Sequence, residues 1–296
     1  MRIVYRGNHS VSFSTESHIA ASLEHLGHEV IRQQENEHSW DATIRACTYG
    51  DANLFLWTST KGYAEKWGCD EERKAADELN ATLRTAAVHL DLFFGLQRAT
   101  WVQECGWFRL RHVFTADGDH EQEFKDAGVN HHWIMPGVYH AECQPGTPRP
   151  EFACDVAFVG AQAGYHGEWM PARRALLDFL KKRYGERCKF WPARGAPAVR
   201  GQALNDLYAS AKVTVGDSCF ADTAKTYTSD RCFETVGRGG FLVYPRIPSV
   251  VQALEPGQHA AYFPHGDWQG LGETIASYLA HDDAREQLRS AGQEPV

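Results

Sequence analysis

The sequence predicts an α/β protein made of two doubly wound domains that face a cleft. Three observations carry this. Short apolar runs alternate with amphipathic or charged stretches along the chain, the rhythm of βαβ units and of parallel sheets covered on both faces. One proline-rich stretch, PGVYHAECQPGTPRP at 136–150, breaks that rhythm with four prolines, two glycines and no periodicity. A length of 296 residues suits two domains of ordinary size.

Residues 2–6 read as the first strand. Residues 17–26 carry apolar groups at helical spacing, and Gly27 stops them. Strands follow at 28–32 and 52–57, then a charged, solvent-facing helix at 66–80. Residues 84–90 are apolar and β-like, 111–115 form another short strand, and the helix at 121–127 closes on Gly128. The proline-rich stretch joins the domains, which places the first over 1–140, a linker over 141–153 and the second over 154–296. In the second, strands at 154–159, 189–191 and 213–215 alternate with helices at 173–183 and 201–211, and a late helix covers 271–279. In such sheets ligands bind outside the carboxyl ends of the strands.

Composition excludes several classes. Hydrophobic residues make up 43% and charged residues 23%, the proportions of a globular protein. No stretch of about 18 apolar residues predicts a membrane span, and MRIVYRGNHS lacks the apolar core of a signal peptide. Eight scattered cysteines without a C-x-x-C pair fit reduced thiols in a cytoplasm. The first 150 residues carry a net charge of −7 and the rest −1, which argues against a broad nucleic-acid footprint without excluding a local basic groove. No G-x-G-x-x-G follows the first strand, and there is no G-x-S-x-G elbow or P-loop.

The most informative segment is SDRCFETVGRGGFLVYP at 229–245. It reads as a short helix, a Gly239-Gly240 stop and a buried strand. Arg231 and Glu234, three residues apart, share one helix face. A helix start beside a carboxylate could hold an anion and a pair of hydroxyls.

The order of segments resembles the nucleotide-sugar glycosyltransferases of the GT-B type, which have two Rossmann-like domains. It is most similar to the "group 1" set and its spore-maturation-type relatives. DVAFVG at 155–160 resembles the strand that opens their donor domain, and RCFETVGRGGFLVYP their donor-site Glu helix. Residues 247–292 resemble their closing segment. HLDLFFG at 89–95 and FTADG at 114–118 are similar to acceptor-domain segments, and WIMPGVYHAECQP to the linker entry. The resemblance implies transfer of a sugar from a nucleoside diphosphate-sugar, UDP-sugar above all, with retention, without a metal and with no cofactor required. It implies an acceptor-side first domain and a donor-binding second domain. The acceptor is left as a glycan, a small molecule or a modified DNA base. Many relatives carry a second Glu eight positions before the one matching Glu234. Here Thr226 stands there, so the sugar is not carried over.

Leaving-group charge must be met by cations or fixed dipoles. Arg231 and the backbone amides of Thr228, Ser229 and Asp230 are the first candidates, with pairing of Arg231 to a surface carboxylate as the other reading. The resemblance gives Glu234 the ribose hydroxyls. Arg173, on a helix whose basic groups also suit a solvated face, is a further donor-site candidate. Gly160, opening the glycine-rich loop at 160–167, would let backbone approach a phosphate. Gly7 would turn the chain tightly after the first strand, and His9 would contact either substrate or stand exposed. His89 and Asp91 fall on one face of a strand, where they could serve the acceptor hydroxyl or form a structural pair. His131 and His132, adjacent on a strand, point apart and read as structural.

Two other readings share the fold. One is a phage-type enzyme acting on hydroxylated DNA bases, with Arg98, Arg109 and Arg111 interleaved with Trp101, Trp107 and Phe108 as its contact patch. The other is a nucleotide-binding module without catalysis.

Overall fold

The computed structural model describes residues 1–58, 70–96, 98–162, 171–218 and 223–294. The chain divides into two compact units, Met1–Met135 and Pro136–Val296.

The first unit is a six-stranded parallel sheet. Its strands are β1 (Arg2–Gly7), β2 (Glu29–Gln34), β3 (Leu54–Trp57), β4 (Arg84–His89), β5 (His112–Thr115) and β6 (His131–Trp133), ordered β2-β1-β3-β4-β5-β6. The order reverses between β1 and β3, the switch point of a doubly wound sheet. Helices α1 (Thr15–His25), α2 (Trp40–Tyr49), α3 (Asp70–Thr82), α4 (Ala99–Glu104) and α5 (Glu121–Asp126) cross between strands. Strand side chains alternate between two cores, as the pleat requires. Val4, Phe55, Trp57, Ala87 and Val113 pack with Trp40, Leu79, Trp107 and Phe124 on one face. Ile3, Tyr5, Leu56 and Ala86 pack with Ala20 on the other.

The second unit repeats the plan with five parallel strands. They are β7 (Cys154–Val159), β8 (Cys188–Trp191), β9 (Ala211–Val215), β10 (Leu242–Pro245) and β11 (Ala261–Phe263), ordered β8-β7-β9-β10-β11. Its switch point lies between β7 and β9. Helices α6 (Pro171–Tyr184), α7 (Gly201–Ser210), α8 (Arg231–Gly237), α9 (Pro248–Ala253), α10 (Trp268–Ala280) and α11 (Asp282–Ala291) cover it. Val156, Phe158, Val213 and Val243 meet Leu176, Leu180 and Ile275 on one face, and Ala157 and Val159 meet Leu204, Leu207 and Tyr208 on the other.

Several elements differ from expectation. Helices α2 and α4 lie where no element was expected, and α9 and α11 flank the late helix. Helix α3 is amphipathic rather than solvent-facing. It buries Glu72, Ala75, Ala76 and Leu79, while residues 66–69 of the expected helix lie outside the described residues. The stretch expected as a linker, 141–153, is tied to the second unit. The Thr147 amide donates to Asp206 Oδ1 at 2.9 Å, and the Arg149 amide donates to Ser210 Oγ at 2.7 Å. Gly146 lies so close to α7 that an added Cβ would overlap the Asn205 backbone.

That approach gives a direct test. Gly146→Ala should destabilise the second unit by about 1–3 kcal/mol through overpacking. Gly137, with open space around it, should accept Ala within about 0.5 kcal/mol. Urea midpoints at unchanged m-value report the difference.

Candidate active site

The carboxyl ends of β7, β9 and β10 carry the strongest constellation in the second unit. Tyr244 on β10 organises it. Its ring lies over Gly216, where an added Cβ would fall 2.7 Å from Cδ2. Its hydroxyl donates to the Asp217 carbonyl at 3.2 Å, accepts from the Ser229 amide at 3.3 Å and pairs with Thr228 Oγ1 at 3.0 Å. One phenol thus ties the segment after β9 to the segment before α8.

This anchoring sets the start of α8. Asp230 is the N-cap residue without a side-chain cap bond, and the Arg231 amide faces Ser229 Oγ at 3.4 Å. The Thr228 side chain is fully buried. The Ser229 amide serves Tyr244 and the Ser229 hydroxyl faces Asp230 Oδ1 at 3.1 Å. Of the amides expected from this helix start, that of Ser229 is therefore already engaged within the protein, as is the neighbouring Arg231 amide.

The arginines stand out instead. Arg231 Nε lies 3.5 Å from the point where a Cβ on Gly160 would sit. The end of β7 and the first residue of α8 thus meet beside the switch point. A third of the Arg231 side chain is accessible. Burial works against its charge, but Asp230, Tyr208, Glu234 and Asp217 outweigh burial and hold the guanidinium more firmly protonated than usual. Arg173 on α6 reaches the same strand ends. It grips Asp217 with two bonds of 2.8 Å, donates to the Ala161 carbonyl at 3.2 Å and lies over the Phe158 ring. The structure therefore brings Gly160, Arg173 and Arg231 together. Residues 163–167 of the glycine-rich loop lie outside the described residues.

Glu234 sits one turn into α8, 14% exposed, between two arginines. Its Oε2 is 3.8 Å from Arg231 Nη1 and its Oε1 is 3.3 Å from Arg238 Nη2. Position 226, where the resemblance implied a second Glu, holds a Thr whose carbonyl accepts from Ser249 Oγ at 3.1 Å. Sequence reasoning did not single out Arg238, Asp217, Tyr208 or Asn205. The only signal for Arg238 was its i, i+4 spacing from Glu234.

In the first unit the candidates fall at the carboxyl ends of β1 and β4. Gly7 ends β1, where an added Cβ would fall 2.8 Å from Glu16 Cγ and 3.1 Å from the Thr58 carbonyl. Its role is close packing of α1 against β1. His9 is tied down: its amide donates to Gln34 Oε1 at 2.6 Å and its Nε2 meets the Tyr5 carbonyl at 3.1 Å. Burial keeps its imidazole below the usual histidine range. His89 stacks on Trp107 at 5.2 Å. Asp91 lies just past the strand and bonds Arg98 at 2.8 Å. Burial raises its carboxyl, but His89 and Arg98 more than reverse this. The nearby Asp117 is buried, and its Oδ2 accepts the Phe93 and Phe94 amides at 2.9 and 2.8 Å.

The patch weighed for DNA contact is not an open aromatic surface. Trp107 and Phe108 are core residues. Arg109 is held by both oxygens of Asp77, and Arg111 donates to the Asn80 carbonyl. The adjacent histidines point apart: His131 stacks on Phe124, and His132 stacks on Phe114 and faces His112. Among the described residues no group of three or more His, Cys, Asp or Glu is placed to hold a metal ion, and no helix is long and apolar enough to cross a membrane.

The "Glycosyl transferase-like" family model matches residues 172–296, so the stretch that carries Arg173, Asp217, Arg231, Glu234 and Arg238 is similar to that family. No curated protein matches the chain. Among solved structures, sucrose-phosphate synthase from Thermosynechococcus elongatus is similar over 100% of this chain and 94% of its own, with a TM-score of 0.65 at 12% identity. An alpha-glucosyltransferase in complex with UDP-glucose and DNA containing an abasic site is similar over 99% and 94%, with a TM-score of 0.69 at 10% identity. HepE of Anabaena in complex with UDP and glucose is similar over 99% and 94%, with a TM-score of 0.56 at 12% identity. The fold is that of the GT-B glycosyltransferases.

The structural reading of His131 has a pH signature. Burial, helped by His132, pushes its imidazole down to about 4. Between an unfolded value of about 6.5 and that folded value, the unfolded chain binds a proton that the folded chain refuses. Stability is therefore full above about pH 6.5 and falls as pH drops toward 4, by about 1–3 kcal/mol. His131→Gln should flatten that slope in urea titrations at pH 7 and pH 5.

Proposed function

We propose that the chain transfers a sugar from a nucleoside diphosphate-sugar, a UDP-sugar first of all, to an acceptor hydroxyl. The donor belongs to the second unit and the acceptor to the first. The observation that carries this reading is Arg231 beside Gly160 at the end of β7, with Glu234 one turn on. Arg173 and Arg231 both lie inside the stretch matched by the glycosyl transferase-like model. Neighbours with this fold hold UDP-glucose or UDP.

The chemistry follows from charge. As the bond between the anomeric carbon and the diphosphate breaks, negative charge grows on the leaving phosphate. Arg231 and Arg173 would meet it, with Gly160 letting the phosphate come close to backbone. This supports transfer without a resident metal, because guanidinium groups supply the positive charge. The carboxylate of Glu234 would accept the two ribose hydroxyls. His89 would position the acceptor, while Asp91 holds Arg98. The reaction would retain configuration and run in the cytoplasm, a setting supported by the free cysteines Cys47, Cys105, Cys143, Cys154, Cys188 and Cys232.

A second reading concerns only the acceptor. The DNA-bound alpha-glucosyltransferase shares the fold, which favours a hydroxylated DNA base. The internal pairing of Arg98 and Arg109 works against it. A gel shift with duplex DNA carrying hydroxymethylated bases separates the two.

Calorimetry with UDP-, GDP- and dTDP-sugars tests the donor. At least one should bind and be slowly hydrolysed, and Arg231→Ala should weaken that binding about 10- to 100-fold, the worth of a charge-assisted bond. No binding by any of them overturns the proposal. Binding without turnover in the presence of any hydroxyl acceptor turns it into a non-catalytic module.

A further inference from the structure

The guanidinium of Arg238 is 3% exposed and makes more contacts than a surface arginine needs. Its Nη1 donates to the Glu142 carbonyl at 2.8 Å and to Asn205 Oδ1 at 2.6 Å, with the Gly201 carbonyl at 3.4 Å. Its Nη2 is shared by two carboxylates, Glu142 Oε2 at 3.2 Å and Glu234 Oε1 at 3.3 Å. Three segments of the second unit thus converge on one cation: the stretch around Glu142, the first two turns of α7, and the end of α8.

The consequence falls on Glu234. Its Oε1 is engaged by Arg238, while its Oε2 stands 3.8 Å from Arg231, beyond a normal hydrogen bond. The carboxylate is pinned through one oxygen and keeps acceptor capacity on the other. A carboxylate left to rotate at this depth would lose orientation, because it has several acceptor sites and only a fixed fork selects among them. Lysine, a point charge, could neutralise Glu234 without fixing its plane.

We infer that Arg238 is a positioning residue that sets the plane of the Glu234 carboxylate, and through it the preference of this site for nucleotides bearing ribose hydroxyls. Glu142 tunes that setting by competing for the same Nη2. The inference rests on the donor reading above and adds to it a residue outside the expected motif. Arg238 itself touches no substrate.

The test compares a nucleoside diphosphate with its 2′,3′-dideoxy analogue, UDP first, by calorimetry on the whole chain. The wild type should prefer UDP about 10- to 100-fold. Arg238→Lys should lower that ratio to within about 3-fold while leaving affinity for the dideoxy analogue unchanged. Equal weakening of both ligands, or an unchanged ratio, overturns the inference. If Arg238→Lys does not fold, Glu142→Gln carries the test. It removes the competing charge without touching Glu234, and should raise the ratio at least 2-fold. An unchanged or lowered ratio overturns the inference. A wild type that binds no nucleotide removes the donor reading itself, whereas a wild type that binds both ligands equally removes only the hydroxyl preference.

Discussion

One buried cation holds the second unit's site in shape. Taking the guanidinium of Arg238 out of water carries a penalty of several kcal/mol, and the fold persists with it because five acceptors surround it. Each acceptor belongs to a segment that must be in place for the others to be satisfied. The stretch before β7 cannot leave without stripping the cation of Glu142. Helix α7 cannot shift without losing Asn205. Helix α8 cannot turn without losing Glu234. The close approach of Gly146 to Asn205 belongs to the same constraint, because only a residue without a side chain lets that stretch lie against α7.

A second device sets the strand ends. In a parallel sheet all carboxyl ends face one way, so loops after β7, β9 and β10 gather on one edge. Gathering alone does not order them. Tyr244 does, since its ring occupies the space left by Gly216 and its hydroxyl serves two loops at once. Arg173 adds a second tie through Asp217. With backbone and carboxylates fixed in this way, Arg231 and Arg173 are held in place, which is the preorganisation that the proposed donor role requires.

Much of the fold was legible in the sequence. Most strands were, because a sheet covered on both faces favours apolar runs, whereas β6 reads HHW and shows none. Helix α2 was not, because its buried face is Trp40, Thr43 and Cys47, and a threonine does not register as apolar. Helix α11 was not, because it buries Arg285 and Leu288. At the candidate site, Glu234 was singled out from the glycines and the strand behind it. Arg238 was not, since its role comes from Glu142, 96 positions away, and no local pattern encodes such a pairing. The engagement of the Ser229 amide was not legible, because Tyr244, which occupies it, lies on a different element.

The first unit solves the same problem with the opposite charge. The segments HLDLFFG and FTADG looked like separate features of the sequence, yet the structure joins them. Asp117, at the end of β5, receives the Phe93 and Phe94 amides on one oxygen, which fixes the turn after β4. Burial raises its carboxyl, and those amides oppose the rise. A loop fixed from below also fixes the groups it carries. His89, stacked on Trp107, and the Asp91–Arg98 pair are thus carried on a turn whose backbone donors are already spent. In both units a buried charge is held by several partners, Arg238 in the second and Asp117 in the first, and the groups proposed to meet a ligand are others. That division of labour separates Arg238 and Asp117, which hold their segments in place, from Arg231 and His89, to which the proposed function gives the ligands.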